Sequence, residues 1–492
     1  MFFMPSSRTF ETPIQKAYAA EQFRKEAHQL VDVLADYLAR AISEEKTDMF
    51  SNQTPDALKK YFQADFTQPT KETISKLVID VLQNATWYHH PHFLGHQVST
   101  PLPAAALAEF TAALLNNTNC VYEMGPVACA MEKHVIDWMA QKIGYDTLAD
   151  GFLTSGGTLG NLTALLAARQ QKAGFNVWKE GVCSSKRLSV LVSEQSHYSV
   201  KRALNIMGLG DESCVQVLVK ENFSMDTTQL EKAYQTAIKE NRKVFAVVAN
   251  ACSTATGSYD DLEAIAYFCE KHGLWMHVDG AHGATALLSK THKKLLKGIE
   301  TADSVVWDAH KMMMMPTLIT AVIFKNGRHA HETFRQSASY ILDRERNWFD
   351  YAQKTMECTK PFMAFKLYAS LWKLGEDFFG TYVDQMVQLT QKFATFLEES
   401  DDFEIAVFPE SNILCFRYRG VSKADNALQE QIRNELLASK QFYIVKTELK
   451  GTLYLRCTII NPQTEFQHLM TLVEQIRRIA ANITKNKKET PV

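Results

Sequence analysis

ADSVVWDAHKMMMMPTLITAVIFK, residues 302–325, begins as a buried strand, Asp303 to Trp307, and breaks at a polar corner, Asp308-Ala309-His310-Lys311. Four methionines and a proline follow, then a second strand-like run from Ile319 to Phe324. A lysine between two apolar strands is awkward, because burying an ammonium without a partner is costly. Either the corner is a surface turn whose lysine points to water, or the amine is a nucleophile that holds an aldehyde as a Schiff base. On these residues alone the surface turn is the simpler reading, so the neighbouring segments must decide.

Upstream and downstream, strand-like runs recur at Leu188–Val192, Val215–Val219, Val244–Ala249 and Leu274–Val278. Helical patterns separate them at Thr158–Ala173, Ser199–Met207, Thr227–Lys239 and Asp260–His272. Continuous apolar strands alternating with helices predict an α/β layer with a mainly parallel sheet. Ligands of such sheets sit beyond the carboxyl ends of the strands. Before this body lie two amphipathic helical patterns, Ala20 to Ser43 and one from Ile74, an arm that must lie on its own chain or on a partner. After it come helical stretches at Phe362–Phe379 and Tyr382–Leu397. A strand, strand, helix, strand, strand, helix pattern then runs from Phe403 to Ile479, with a polar tail expected to fray. The expected division is 1–86 arm, 87–380 large domain and 381–492 small α+β domain.

At 492 residues the chain is long enough for two or three domains. A net charge of −2 gives no global pull towards nucleic acid or anionic membrane. Nine scattered cysteines without a C-x-x-C pair predict reduced thiols in the cytoplasm. The longest apolar run, Met312 to Phe324, is too short to span a bilayer, and no signal peptide is read at MFFMPSSRTF. His89, His90, His92 and His96 invite a metal reading. Pro91 and Gly95 break any helix that would align them and no carboxylate lies among them, so no metal is predicted and a pocket-lining loop is expected.

Four strand exits carry candidate chemistry. Thr154-Ser155-Gly156-Gly157-Thr158 opens a helix, where small residues and unpaired N–H groups suit a phosphate. His197 stands where a helix follows a strand, placed to cover an aromatic face. Asp279, in HVDGAHG, is a carboxylate at a buried strand end that needs a cationic partner, a pyridinium nitrogen among the options. Lys311 completes the set. Each is ambiguous alone, but together they match the phosphate, ring face, ring nitrogen and aldehyde of pyridoxal 5′-phosphate. Met312 to Met315 read as core packing rather than cofactor contacts.

HVDGAHG, DAHKMM, SEQSHYS, TSGGTLGN, TNCVYEMGPV and YLRCTIINP resemble segments of the pyridoxal-phosphate-dependent amino-acid decarboxylases of group II, which include glutamate, diaminobutyrate and aromatic amino-acid decarboxylases. The resemblance runs from about His90 to Pro462 and is nearest to the glutamate branch. It implies the type I fold of pyridoxal-phosphate enzymes and a homodimer with the active site at the subunit interface. It also implies that Lys311 carries the cofactor, Asp279 binds the pyridine nitrogen and His197 stacks on the ring with Ala281 on its other face. Gly157 and Thr158 would hold the phosphate, with Thr254 and His310 close by. Tyr340 matches a mobile-loop tyrosine that protonates the carbanionic intermediate, Arg456 a residue that binds the substrate α-carboxylate, and Gln97 a substrate-contacting glutamine. Bottom-up, Arg456 leaves the apolar face of its strand, which also fits a solvated arginine.

This sequence departs from the family at His282, where relatives usually carry a bulky aromatic, and at Gly280. It departs too in the extra residue of HPHFLGHQ and at Cys358-Thr359-Lys360, which lacks an arginine. These positions are expected around the side-chain pocket, so the substrate is left between acidic amino acids and 2,4-diaminobutyrate. Another reaction of the same cofactor (transamination, oxidative decarboxylation or carbon–carbon cleavage) and an inactive cofactor-binding scaffold are the alternatives.

Overall fold

The computed structural model describes residues 12–45, 48–51, 53–182, 187–335, 347–419 and 426–489. Seven strands form the central sheet: β1 (Asp150–Thr154), β2 (Arg187–Ser193), β3 (Cys214–Val217), β4 (Arg242–Asn250), β5 (Trp275–Asp279), β6 (Ser304–Asp308) and β7 (Thr320–Phe324). Their order is β1-β7-β6-β5-β4-β2-β3. β7 pairs antiparallel with both β6 and β1, while the other pairs are parallel, so β7 alone runs against the rest. That reversal is what the polar corner after β6 does: the chain turns at Asp308–Lys311 and returns along the same edge.

Successive strand side chains point to opposite faces. In β6 Val305 and Trp307 join one apolar core and Val306 the other; in β4 Val247 and Ala249 face one way, Ala246 and Val248 the other. Both faces are covered, which is why these strands read as unbroken apolar runs. The expected helices are present as Gly157–Lys172, Tyr198–Ile206, Leu230–Lys239 and Leu262–His272. Met312 to Met315 are buried in the core, as expected. Strand β1 and the alanine-rich helices Pro103–Leu115 and Pro126–Ile143 were not expected.

A second sheet, ordered β10-β11-β9-β8, is antiparallel throughout and consists of β8 (Phe403–Ile405), β9 (Ile413–Tyr418), β10 (Val445–Leu449) and β11 (Thr452–Thr458). Helix Glu376–Glu398 passes through the expected boundary at 380/381, and the break before it falls at Gly375. The last helix, Phe466–Glu489, continues through most of the tail expected to fray. Helix Ala20–Ile42 packs on helix Ile74–Asn84, and Tyr37 meets Trp87 edge-on at 4.9 Å. Within that first helix only Ala41 is buried; Phe23, Val31 and Leu34 remain exposed.

Candidate active site

Five of the parallel strands deliver their carboxyl ends to one region, and a cavity of about 420 Å³ lies there. It is lined by Gly157 and Thr158 after β1, His197 after β2, Asn250 and Thr254 after β4, Asp279 and Ala281 at β5, and His310 and Lys311 after β6. Gln97 and His282 line it as well. Ten of the twelve expected site positions thus line one cavity, although the chain spreads them over more than two hundred residues. Tyr340 lies outside the described residues.

The helix that begins at Gly157 has no side-chain cap, and Gly156 before it adopts φ +115°, a conformation that favours glycine. Its first N–H groups are therefore left for an anion. A Cβ on Gly157 would stand 3.2 Å from Asp308 Oδ2 and 3.6 Å from the Ala281 methyl, so glycine keeps this entrance open. Glu357 braces the loop from behind: Thr154 Oγ1 donates to its Oε2 at 2.7 Å and Ser155 Oγ to its Oε1 at 3.1 Å.

His197 is both of the things its position suggested. It caps the helix that follows, its Nδ1 accepting from the Ser199 N–H at 3.3 Å, and its ring lines the cavity. Burial depresses its pKa, with Lys311 acting in the same direction and Asp279 opposing. Asp279 is held by the Asn161 amide at 2.8 Å and by the Ala281 N–H at 3.2 Å. Lys311 is not the water-facing turn residue of the simpler reading. Its Nζ lies 3.0 Å from Oδ2 of the buried Asp308. Burial opposes its charge, but Asp308 and Asp279 outweigh that and raise its pKa above the ordinary lysine value. Asp308 also accepts from Thr320 Oγ1 at 2.5 Å, and His310 Nε2 stands 3.5 Å away.

Arg456 does not line the cavity. It is 6% exposed, not solvated, and donates to the Thr254 and Ala255 carbonyls at 2.6 and 3.0 Å, with no carboxylate paired to it among the described residues. Gln97 has a buried Nε2 without a hydrogen-bond partner among the described residues, and the Nδ1 of His282 is in the same state. One expectation is corrected. Lys360 does not line the cavity: it is fully buried and paired with Glu132 at 2.6 Å. Of the histidine-rich loop, Gln97 and Val98 reach the cavity but the histidines do not. His89 bonds Tyr37 and the Pro101 carbonyl, and His92 bonds the Gln441 carbonyl and stacks on Phe442. Glu44, from the arm, approaches His90 and His92 within 4.8 Å. Backbone N–H groups bond Nδ1 of His90 and of the adjoining His468.

Asp308 and Asn161 line the cavity too and were not among the expected site residues. Asp308 stood in the quoted corner, three residues before the lysine. Asn161 has a weaker signal, a lone amide one helical turn beyond Gly157.

The donor set fits pyridoxal 5′-phosphate: an uncapped helix start held open by glycine, a buried carboxylate and an amine, all on one cavity of about 420 Å³ that Ala281 and His197 also line. Residues 55–419 match the pyridoxal-dependent decarboxylase conserved domain. The chain belongs to that family. It is a carboxy-lyase that uses pyridoxal 5′-phosphate. It is 27% identical over 478 residues to an aromatic-L-amino-acid decarboxylase of Bacillus atrophaeus, covering 95% of this chain and 97% of the relative. It is 29% identical over 454 residues to an L-2,4-diaminobutyrate decarboxylase of Acinetobacter baumannii, covering 87% and 89%. Among solved structures it resembles the glutamate decarboxylase domain of a diaminobutyrate-pyruvate transaminase and L-2,4-diaminobutyrate decarboxylase from Vibrio parahaemolyticus, with a TM-score of 0.83, 26% identity and coverage of 94% and 96%. These relatives differ in substrate, so the family gives the reaction and leaves the amino acid open.

Proposed function

We propose that the chain decarboxylates an L-amino acid whose short side chain ends in a hydrogen-bond donor, with 2,4-diaminobutyrate the first candidate. His282 carries this reading. Asn412 turns its amide N–H to the Ile459 carbonyl, so its Oδ1 faces His282 Nε2 at 2.7 Å and makes that nitrogen the donor. Nδ1 is then an acceptor, and no described residue bonds it. Burial, with Lys311 beside it, pushes the ring's pKa down to about 3, so it stays neutral. A neutral acceptor suits an amine and repels a carboxylate. The likeness to the Acinetobacter enzyme agrees. A second reading, an acidic substrate, is favoured by Gln97, whose buried Nε2 offers a donor.

In the proposed assignment, Lys311 Nζ would hold the cofactor's aldehyde. Asp279 would keep the ring nitrogen protonated, and Gly157 and Thr158 would present N–H groups to the phosphate. His197 and Ala281 confine the ring, with Thr254 and His310 at its margin. Gln97 would contact the substrate, Arg456 would act only through the Thr254 and Ala255 carbonyls that it holds, and Tyr340 or His197 would return a proton to the α-carbon. When bound, pyridoxal 5′-phosphate supplies an electrophilic aldehyde and a ring that accepts the electron pair released as CO₂ departs.

We also propose a cytoplasmic homodimer. No helix among the described residues is long and apolar enough to cross a membrane. The exposed Phe23, Val31, Leu34, Leu107, Leu114 and Leu115 on two helices supply apolar area for a second subunit.

The test is CO₂ release from 2,4-diaminobutyrate, glutamate, aspartate, cysteine sulfinate and aromatic amino acids. Diaminobutyrate should exceed glutamate in kcat/KM by at least about tenfold, or about 1.4 kcal/mol, and His282→Phe should erase that preference. Preference for an acidic substrate would transfer the assignment to the second reading.

A further inference from the structure

Asn161 is 1% exposed, and its carboxamide meets three side chains from two elements, strand β5 and the helix Tyr198–Ile206. Nδ2 lies 2.8 Å from Asp279 Oδ2 and 2.9 Å from Ser199 Oγ, while Oδ1 lies 3.0 Å from His277 Nε2. The carboxylate of Asp279 accepts only, which fixes the amide's orientation. With its oxygen turned to His277, Nε2 of that ring must donate. His277 Nδ1 then accepts from Ser304 Oγ at 2.9 Å, and Ser304 Oγ in turn accepts from Trp275 Nε1 at 2.9 Å. On the other side Ser199 Oγ accepts from Asn161 and passes its own proton to His197 Nδ1 at 2.7 Å. His197 is left with hydrogen on Nε2.

We propose that Asn161 is a positioning residue that sets both sides of the cofactor at once, aiming Asp279 at the ring nitrogen and fixing the tautomer and tilt of His197 through Ser199. Both protein groups that define the cofactor's electronic state and its plane therefore depend on one amide. A hydrophobic residue of similar size would fill the space and leave Asp279 with only the Ala281 N–H. It would also free His197 to rotate.

Three variants of the full-length chain test this, using pyridoxal 5′-phosphate as the probe. Asn161→Ala should weaken cofactor binding to the cofactor-free chain at least about tenfold. It should also move the pH at which the bound cofactor's visible absorption changes, with the melting temperature of the cofactor-free chain nearly unchanged. Asn161→Asp keeps the shape. At acidic pH a proton shared with Asp279 replaces the amide hydrogen, so affinity should approach the parent's and fall as pH rises. Ser199→Ala should change the nitrogen NMR shifts of His197 and spare the absorption transition. The proposal is overturned if Asn161→Ala keeps affinity and transition pH. It is equally overturned if the Ala and Asp variants lose affinity alike at every pH in step with melting temperature, which a merely structural role would give.

Discussion

Glu132→Gln should destabilise the chain more than any surface charge change, because it strands a buried ammonium. Glu132 and Lys360 are both 0% exposed and 2.6 Å apart. The carboxylate also accepts from the Leu153 N–H at 2.9 Å and from Asn119 Nδ2 at 2.5 Å, while Lys360 donates to the Leu153 carbonyl at 2.7 Å. Burial already holds the Lys360 pKa below the ordinary lysine value despite Glu132. Removing one partner of such a pair costs about 3–5 kcal/mol, and the upper half applies here because a glutamine must turn its NH₂ towards either Asn119 or Leu153. Unfolding entropy of about 2.1 cal/mol/K per residue makes about 1 kcal/mol/K for a chain of 492 residues. The melting temperature should then drop about 4–5 °C if the chain unfolds as one unit. Replacing both partners, Glu132→Leu with Lys360→Met, should recover most of the loss, since the desolvation cost of both charges disappears with them. Thermal unfolding of the cofactor-free chain followed by circular dichroism, for each single variant and the pair, reads this directly. A shift below about 1 °C in Glu132→Gln, or a double variant as unstable as the two singles added together, would refute the reasoning. Both groups clamp Leu153, the residue before Thr154, so cofactor affinity should fall in the single variants as well.

Lys311→Ala should abolish turnover, lowering kcat by at least about a thousandfold, and should end borohydride-dependent mass gain at that residue; a variant that decarboxylated normally would remove Lys311 from the mechanism. Asp308→Asn acts on the same amine in the opposite sense. Since Asp308 helps raise the Lys311 pKa, cofactor capture by the neutral amine should quicken as pH rises towards that pKa, tenfold per pH unit. Removing the Asp308 charge lowers the pKa and moves the profile to lower pH. At 3.0 Å and an effective dielectric of about 20 the attraction is about 5 kcal/mol, so a gain of at least about tenfold in capture rate near neutral pH is expected. Stopped-flow absorbance between about pH 6 and pH 9 measures it, and an unshifted profile would exclude Asp308 as the controlling charge.

What the sequence made legible was local. A strand exit announces itself within a few residues, so Asp279, His197, Gly157 and Lys311 were found by looking just after each apolar run, and the structure gathers them on one cavity. The parallel body followed from the same alternation. Strand β1 escaped because Asp150 and Gly151 interrupt its apolar run, and its neighbour in the sheet is β7, far along the chain. Polar satisfaction over long distance left no local trace. Lys360 looked like a pocket residue because relatives differ there, yet its partner lies 228 residues away. Asn161 looked like an ordinary helix amide, and only the fold shows Asp279, Ser199 and His277 converging on it. His282 was singled out from the sequence and lines the cavity, but its charge state was not readable. Asn412, 130 residues downstream, decides which nitrogen carries the proton. The chemistry of this chain is therefore written at strand ends. The protonation states that make the chemistry selective are written in buried hydrogen bonds between elements, where a sequence alone shows only the two halves.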